Sequence, residues 1–139
     1  MAFKFGSVEW AEALRDEIND SSEYRNAAAG WGKDFNGNIL FAFEADDQLT
    51  APLNLLIRLK GGQSQGAEFV DADSHPEAGF VLRASFGLWK EVLERKTMAA
   101  TAIMTGKMRV DGQKMTLLKH TAASRALVHC TSSVDTRWP

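Results

Sequence analysis

The chain has 139 residues, of which 45% are hydrophobic and 24% charged, and its formal net charge is −2. A chain of this length buries roughly 68–70% of its extended surface on folding, so we expect one domain over residues 1–139 with its own hydrophobic core. Cys130 is the only cysteine. This excludes an internal disulfide and favours a reducing, cytoplasmic location in which Cys130 is a packing residue.

The charge is unevenly distributed along the chain. Residues 1–50 hold ten acidic and four basic side chains, whereas residues 51–139 hold eight acidic and twelve basic ones. The positive charge of residues 51–139 would suit the binding of an anionic membrane surface or ligand head group. It would equally suit helix and strand faces that are simply exposed to solvent. No run of Lys and Arg exceeds two residues, so we expect no nucleic acid partner. Glu9, Glu12 and Asp16 stand where a leader peptide or membrane span would be apolar, so we expect neither.

The first part of the chain predicts two helices. Ser7 can cap a first helix, in which apolar residues recur at helical spacing. These residues are Val8, Ala11, Leu14 and Ile18. The polar residues 19–22 break this helix, and one of their two serines caps a short second helix over residues 24–29.

Four strands are expected next. Alternating apolar residues predict strands over residues 39–45 and 53–60, the second ending at the glycine pair 61–62. Acidic residues interrupt a weaker strand over residues 67–72, so we expect it at an edge of the sheet. A fourth strand is predicted over residues 80–84.

Three helices and one strand complete the predicted order. Ser85 is expected to cap an amphipathic helix over residues 86–96, and a final helix is expected from about Gln113 to Cys130. The final helix presents two stripes, namely Met115, Leu118, Ala122 and Ala126, and Leu117, Thr121, Ser124 and Val128. It can therefore touch both the sheet and a neighbouring cavity.

A short apolar helix and a strand are predicted between these two helices. From Met98 to Met104 only Thr101 is polar, so we expect this helix to be covered on nearly every side. The strand over residues 107–111 alternates cleanly, with Met108 and Val110 on one face and basic or acidic side chains on the other. The elements together predict an α+β fold with one five-stranded, mixed and mainly antiparallel sheet, covered on one face by helices.

Residues suited to catalysis or metal binding are not grouped by the sequence. His120 and His129 are nine residues apart, which places them about 180° apart on one helix and prevents a shared metal. His75 lies in a loop. Ser85 is better explained as a helix cap than as a nucleophile, and no glycine pattern opens a helix for phosphate binding. We therefore expect no enzyme activity, no metal and no cofactor.

Residues 102–112 combine a small-residue helix, Gly106, the lysine-bearing strand and Gly112, which opens the last helix. This order resembles the sterol carrier protein 2 family of sterol-transfer domains, and the likeness extends upstream to about Gly79. The resemblance implies the same α+β architecture. It also implies non-catalytic binding or transfer of a fatty acyl, sterol-like or other lipid in an apolar tunnel between the sheet and the helices.

The methionines favour the same interpretation. Four of them fall within eighteen residues, and methionine side chains adapt to ligands of varied shape, although they also fill gaps in ordinary cores. The ligand-lining residues expected from their position on the matching elements are Phe86, Trp89, Met98, Ile103, Met104, Met108, Leu117 and Leu118. The expected partner is one small hydrophobic ligand, and a transient membrane contact and a homodimer are left open.

Two alternatives remain at the level of sequence. The same apolar surface would suit a structural or protein-interaction module with a filled core. A small enzyme of the ketosteroid-isomerase type needs only a carboxylic acid in an apolar pocket. Tyr24 is the only tyrosine, and its short helix makes it difficult to place as the oxyanion donor of such an enzyme.

Overall fold

The structure is a computed structural model that describes residues 2–72 and 78–139, so His75 lies outside the described residues. The order of elements is β1 (Phe3–Lys4), α1 (Val8–Asp20), α2 (Ser22–Ala27), β2 (Ile39–Glu44), β3 (Leu53–Lys60), β4 (Gln63–Val70), β5 (Phe80–Ser85), α3 (Phe86–Leu93), α4 (Ala99–Met104), β6 (Arg109–Asp111), α5 (Lys114–Lys119), α6 (Thr121–Ser133) and β7 (Thr136–Arg137). None of the described helices is long and apolar enough to cross a membrane.

The larger of two sheets has five strands in the order β4-β3-β2-β5-β6. Strand β2 runs parallel to β5, and the other neighbouring strands are antiparallel. Strand β4 forms a hairpin with β3 and is an edge strand, as expected. The predicted α+β fold with a mixed, mainly antiparallel sheet is therefore confirmed.

The helices cover one face of this sheet. In β2, the side chains of Ile39, Phe41 and Phe43 join a core that contains residues from the helices. Leu40 and Ala42 alternate with them and are buried on the opposite face. Every residue of β2 before Glu44 is thus buried, which explains the nearly continuous apolar sequence of this central strand.

Charged side chains lie over the opposite face. Arg58 of β3 pairs with Glu68 of β4 at 2.7 Å, and Arg109 of β6 pairs with Glu44 of β2. Long basic side chains can cover apolar surface with their stems while the charged ends stay in water. The sheet therefore buries apolar residues on both faces with helices on only one.

Two short strands that the sequence did not predict join the ends of the chain. Strands β1 and β7 are parallel, and the Phe5 amide donates to the Arg137 carbonyl at 3.0 Å. This pairing buries Phe5 among five aromatic rings, with centroid distances of 5.1 to 5.6 Å. The rings belong to Trp10, Phe43, Phe69, Phe86 and Trp138. The amino terminus is therefore part of the core.

The predicted final helix is two helices, α5 and α6, which meet at His120. The ring of His120 packs edge-on against Trp31 at 5.1 Å. Its Nδ1 lies 2.9 Å from the Thr116 carbonyl, and since a carbonyl only accepts, this nitrogen donates. These contacts stabilise the interruption between α5 and α6 at His120. Strand β4 also starts earlier than predicted, at Gln63, and α3 ends earlier, at Leu93.

The backbone conformation explains why residues 106 and 112, in the segment that resembles a known family, are glycines. Gly106 and Gly112 have φ angles of 80° and 118°, which L side chains adopt only with strain. A Cβ atom on Gly112 would lie 2.4 Å from the Gly79 carbonyl oxygen. Gly112 therefore permits the close approach of the segment after β6 to the start of β5.

We expect Phe5→Ala to lower the free energy of unfolding by about 3–5 kcal/mol, because it leaves a cavity among five rings. Phe3→Ala, in strand β1 two residues before Phe5 but exposed, should lower it by less than about 1 kcal/mol. Urea unfolding followed by tryptophan fluorescence measures both losses. Equal losses would show that the terminal strand pair, and not the Phe5 ring, stabilises this region.

Candidate functional site

Helix α3 is fixed to the end of β2 by two caps. The Ser85 hydroxyl accepts a hydrogen bond from the Leu88 amide at 3.3 Å, as the sequence predicted. Asp46 adds a second cap, since its Oδ2 accepts from the Gly87 amide at 2.7 Å and its Oδ1 from the Gln48 amide at 2.9 Å. The Gly87 amide, and next the Gln48 amide, lower the pKa of the Asp46 carboxyl.

The indole of Trp89 attaches α3 to the central strand. Its ring stacks on Phe41, with centroids 4.4 Å apart and planes at 28°. Its Nε1 donates to the Ala42 carbonyl at 2.9 Å, so the polar atom is satisfied although the side chain is buried. Val92 follows on the next turn and is fully buried. The position of Val92 is therefore set by the packing of Trp89 on β2.

Helix α3 ends in a Schellman motif with arginine in the left-handed position. The Lys96 amide donates to the Glu91 carbonyl at 2.8 Å and the Arg95 amide to the Val92 carbonyl at 3.0 Å, which are the two bonds of this motif. Arg95 has a φ of 65°, where glycine is usual and another L residue is less stable by roughly 1–2 kcal/mol. This strain directs attention to what the Arg95 side chain contacts.

The Arg95 side chain borders a cavity of about 290 Å³. The walls come from the end of α3, the connection to α4, the start of α4, and one side of α6. The lining residues are Val92, Arg95, Thr97, Met98, Ala99, Ala100, Thr121, Ser124, Arg125, Val128 and His129. No strand residue is among them, so this cavity lies between helices and not between the helices and the sheet.

The cavity has a mostly apolar wall and a cationic mouth. Val92 forms a buried part of the wall. Arg95, Met98 and Arg125 are exposed, so the cavity opens to solvent between them. Two guanidinium groups at an opening with apolar walls favour an anionic group at that position.

The expectation that the short apolar helix is covered on nearly every side is wrong. In α4 only Ala102 and Ile103 are buried. Met98, which caps the helix, is 54% exposed, and Met104 is 74% exposed. The helix is only six residues long and lies at the molecular surface, so a single side of it reaches the core despite its apolar sequence.

The eight residues expected to line a ligand fall into separate groups. Five are buried in the core, namely Phe86, Trp89, Ile103, Met108 and Leu117. Leu118 packs against that core, Met104 is exposed, and Met98 lines the cavity. The structure thus brings one member of this set to the cavity. Contact of the other members with a ligand stays a prediction.

Some of the other cavity residues could be predicted from the sequence. Thr121, Ser124 and Val128 belong to one of the two stripes of the final helix, which together predicted contact with the sheet and with a cavity, and all three line the cavity. Arg125 was not identified, although its spacing of four from Thr121 and three from Val128 places it on the same helical side. Arg95 gave no sequence signal, because arginine is uncommon in the left-handed conformation.

The cavity is lined mostly by apolar and basic side chains, with His129 as its only lining residue that exchanges a proton near neutral pH. No carboxylate lines it, and His129 hydrogen bonds to Glu23 of α2 at 2.9 Å. Among the described residues, no group of three or more His, Cys, Asp or Glu could hold a metal ion. Cys130 is buried, and burial raises the pKa of its thiol, which disfavours the nucleophilic thiolate. Burial also raises the pKa of Tyr24, which lies outside the cavity lining.

Comparisons with known proteins agree on one family. The sequence model of the SCP-2 sterol transfer family matches residues 13–123. A crystal structure of sterol carrier protein 2 has a TM-score of 0.80 at 27% sequence identity, and the match covers 94% of this chain and 98% of that one. No curated protein sequence matches the chain.

Two further structures share the fold. A conserved hypothetical protein from Thermus thermophilus, whose solution structure is described as that of a possible sterol carrier protein, has a TM-score of 0.81 at 27% identity and covers 96% of this chain and 91% of that one. The apo form of Sterol Carrier Protein 2 from Yarrowia lipolytica has a TM-score of 0.55 at 18% identity, with 92% of each chain covered.

Asp46→Asn is expected to lower the melting temperature at neutral pH. The lowered pKa means that the carboxylate stabilises the fold above the ordinary Asp pKa of about 3.9, and that this stabilisation is lost as the pH falls through the lower folded-state value. The difference in melting temperature between the variant and the wild type should therefore become smaller at acid pH. Thermal unfolding across pH checks this, with Asp47→Asn as the exposed neighbouring control. A difference that is constant with pH would contradict the charged cap.

Arg95→Gly is expected to raise the free energy of unfolding by about 0.5–1 kcal/mol, because the relief of left-handed strain exceeds the extra entropy of the unfolded glycine. Arg125→Gly is the matched control. It removes the same charge from the cavity mouth but lies inside α6, where glycine should lower stability by about 1 kcal/mol. Chemical denaturation of both variants decides the point, and a loss of stability in Arg95→Gly would contradict the assigned strain.

Proposed function

Because the chain belongs to the SCP-2 sterol transfer family, as residues 79–112 predicted, we propose that it binds and carries one hydrophobic ligand without covalent chemistry. The observation that carries this proposal is the largely apolar cavity between α3, α4 and α6, with Arg95 and Arg125 at its mouth. The proposed ligand is a fatty acyl chain with an anionic head, held with its chain against the apolar wall.

The size of the cavity supports an acyl chain. Its volume of about 290 Å³ is at the lower end of the ~300–1,000 Å³ that small-molecule sites occupy. Burial of ten CH₂ groups would supply roughly 8 kcal/mol before ordering costs, which is enough for affinity in the micromolar range. A ligand with a single narrow chain therefore suits this cavity better than a bulky fused-ring ligand.

The mouth supports an anionic head. Arg95 and Arg125 are both exposed at the opening, and arginine binds carboxylate or phosphate oxygens in a bidentate manner. Arg95 stands there in spite of its strained backbone. In the proposed complex these two side chains hold the head group while Met98 and Val92 contact the chain.

A longer ligand would need space that is filled by the buried members of the predicted ligand-lining residues. Ile103 of α4 and Met108, which precedes β6, both lie in the core. Because methionine changes rotamer with little loss of packing, Met108 is the core residue that could yield most easily to a ligand. We propose that the tunnel between the sheet and the helices, if a ligand opens it, extends from the cavity in this direction. The stack of Trp89 on Phe41 would form its closed end.

An interaction module is the second candidate function. The specific observation in its favour is that the space between the sheet and the helices is filled by buried aromatic side chains, with Trp89 stacked on Phe41. In that case the protein would bind no lipid, and its exposed methionines would contact another chain.

We expect the wild-type protein to bind a fluorescent fatty acid saturably, at one molecule per chain, in solution without vesicles. Met98→Asp should weaken this binding at least about tenfold. The new carboxylate repels the anionic head, and the loss of the methionine side chain removes apolar contact at the mouth. Met115→Asp is the matched control, since Met115 is similarly exposed but lies outside the cavity lining. Fluorescence titration gives the affinities.

Native mass spectrometry of the purified protein provides the independent check. A lipid adduct that organic extraction identifies would support a carrier. A bare chain that also fails to bind added fatty acids and sterols would overturn the proposal in favour of the interaction module. Equal weakening by Met98→Asp and Met115→Asp would exclude this cavity as the site.

A further inference from the structure

A large local excess of positive charge lies in residues 95–125. This segment holds seven basic side chains and one acidic one, Asp111, whereas the whole chain has a net charge of −2. The remainder of the chain therefore carries −8. The basic residues are Arg95, Lys96, Lys107, Arg109, Lys114, Lys119 and Arg125.

The fold brings this segment to one edge of the molecule. Strand β6 is an edge strand that pairs only with β5. The Met108 amide donates to the Ala102 carbonyl at 3.0 Å, which joins α4 to the start of β6. Helix α5 begins three residues after β6 ends, and α4 and α5 both pack on α6. We call the exposed residues of α4, β6, α5 and their connections, from Arg95 to Arg125, the cationic edge.

Most of these charges are not neutralised within the protein. Lys96 pairs with Glu94 and Arg109 with Glu44. In the part of the chain that the structure describes, the other five basic residues of the cationic edge make no ion pair. A surface that concentrates unpaired cations attracts an anionic partner.

Exposed methionines lie among these cations. Five large apolar side chains are exposed in the described residues, and three of them belong to this segment, namely Met98, Met104 and Met115. Their exposed fractions are 54%, 74% and 66%. The partner must therefore offer an apolar phase as well as negative charge.

We propose that the cationic edge docks on the surface of an anionic lipid membrane. Lys and Arg would contact lipid phosphates, and the methionines would enter the boundary between the head groups and the acyl chains. A nucleic acid fits less well, because residues 95–125 contain no Phe, Tyr or Trp on which bases could stack. Helix α1 packs on β4, which is at the opposite edge of the sheet from β6. Its acidic residues Glu9, Glu12, Asp16, Glu17 and Asp20 would therefore face away from the membrane.

The docked orientation would place the cavity mouth at the membrane. Arg95, Met98 and Arg125 belong both to the mouth and to the cationic edge. A lipid chain could then pass between the membrane and the cavity without crossing water. This last step rests on the proposed lipid binding, whereas the docking itself does not.

The test is cosedimentation with vesicles of phosphatidylcholine mixed with phosphatidylglycerol, compared with phosphatidylcholine alone, at low and high salt. The wild type should bind the anionic vesicles preferentially and lose binding as salt rises. Lys107→Glu/Lys114→Glu should weaken partitioning at least about tenfold. Met104→Ser/Met115→Ser should weaken it at both salt concentrations, because that contribution is apolar.

Lys33→Glu/Lys60→Glu is the control, since it changes net charge equally at two exposed residues near the β3–β4 hairpin. Equal loss in this control, or equal wild-type binding to neutral vesicles, would overturn the proposal. Light scattering adds a third outcome. The wild type could form a dimer that binds no vesicles, and Lys107→Glu/Lys114→Glu could convert it to a monomer. This result would overturn membrane docking and assign the edge to self-association. Fatty-acid titration without vesicles tests lipid binding separately.

Discussion

The packing of the Trp89 indole on β2 is the contact on which the site depends. The indole stacks on Phe41 and donates to the Ala42 carbonyl, so α3 has one position over the central strand of the sheet. Val92 and the Schellman motif follow within two turns, and they form the wall and one side of the mouth of the cavity. A cavity made by three helices and the α3–α4 connection is thus positioned by a strand that does not line it. The apolar residues of β2 stabilise the fold, and the exposed side chains of Arg95, Met98 and Arg125 form the opening.

The elements that the sequence predicted correctly are those with local causes. Ser7 and Ser85 cap α1 and α3 through their own hydroxyl groups, and a cap needs only neighbouring residues. The alternation of residues 107–111 predicted Met108 on the same inward face as Val110, and Met108 is buried although β6 begins only at the next residue, Arg109. The order of elements and the resemblance of residues 102–112 together predicted the α+β class and a mixed, mainly antiparallel five-stranded sheet, but not the order of its strands. Most of the fold could therefore be derived before the structure.

The features that the sequence did not reveal are set by contacts between distant residues. The pairing of β1 with β7 joins residues more than 130 positions apart, and two residues per strand are too few for any periodic pattern. The break at His120 depends on Trp31, which lies almost 90 residues earlier. Helix α4 has an apolar sequence on all sides, yet its shortness and surface position leave Met104 exposed. The five buried members of the expected ligand set show the same difficulty, because apolar residues facing a cavity and apolar residues facing each other have the same pattern.

The unpaired cations and the aromatic cluster around Phe5 belong to different parts of this fold, and this has a physical consequence. The aromatic cluster around Phe5 lies where both chain ends meet, and stability there comes from tightly packed rings. The region from α4 to α5 has short helices, exposed methionines and unpaired cations. Local opening has the lowest free energy where few apolar contacts hold a segment. A ligand that needs more than 290 Å³ would therefore gain room by moving α4, while the sheet and α3 stay in place. The residue that yields first would be one of the methionines, since their unbranched side chains repack at a smaller loss than the stacked rings on β2.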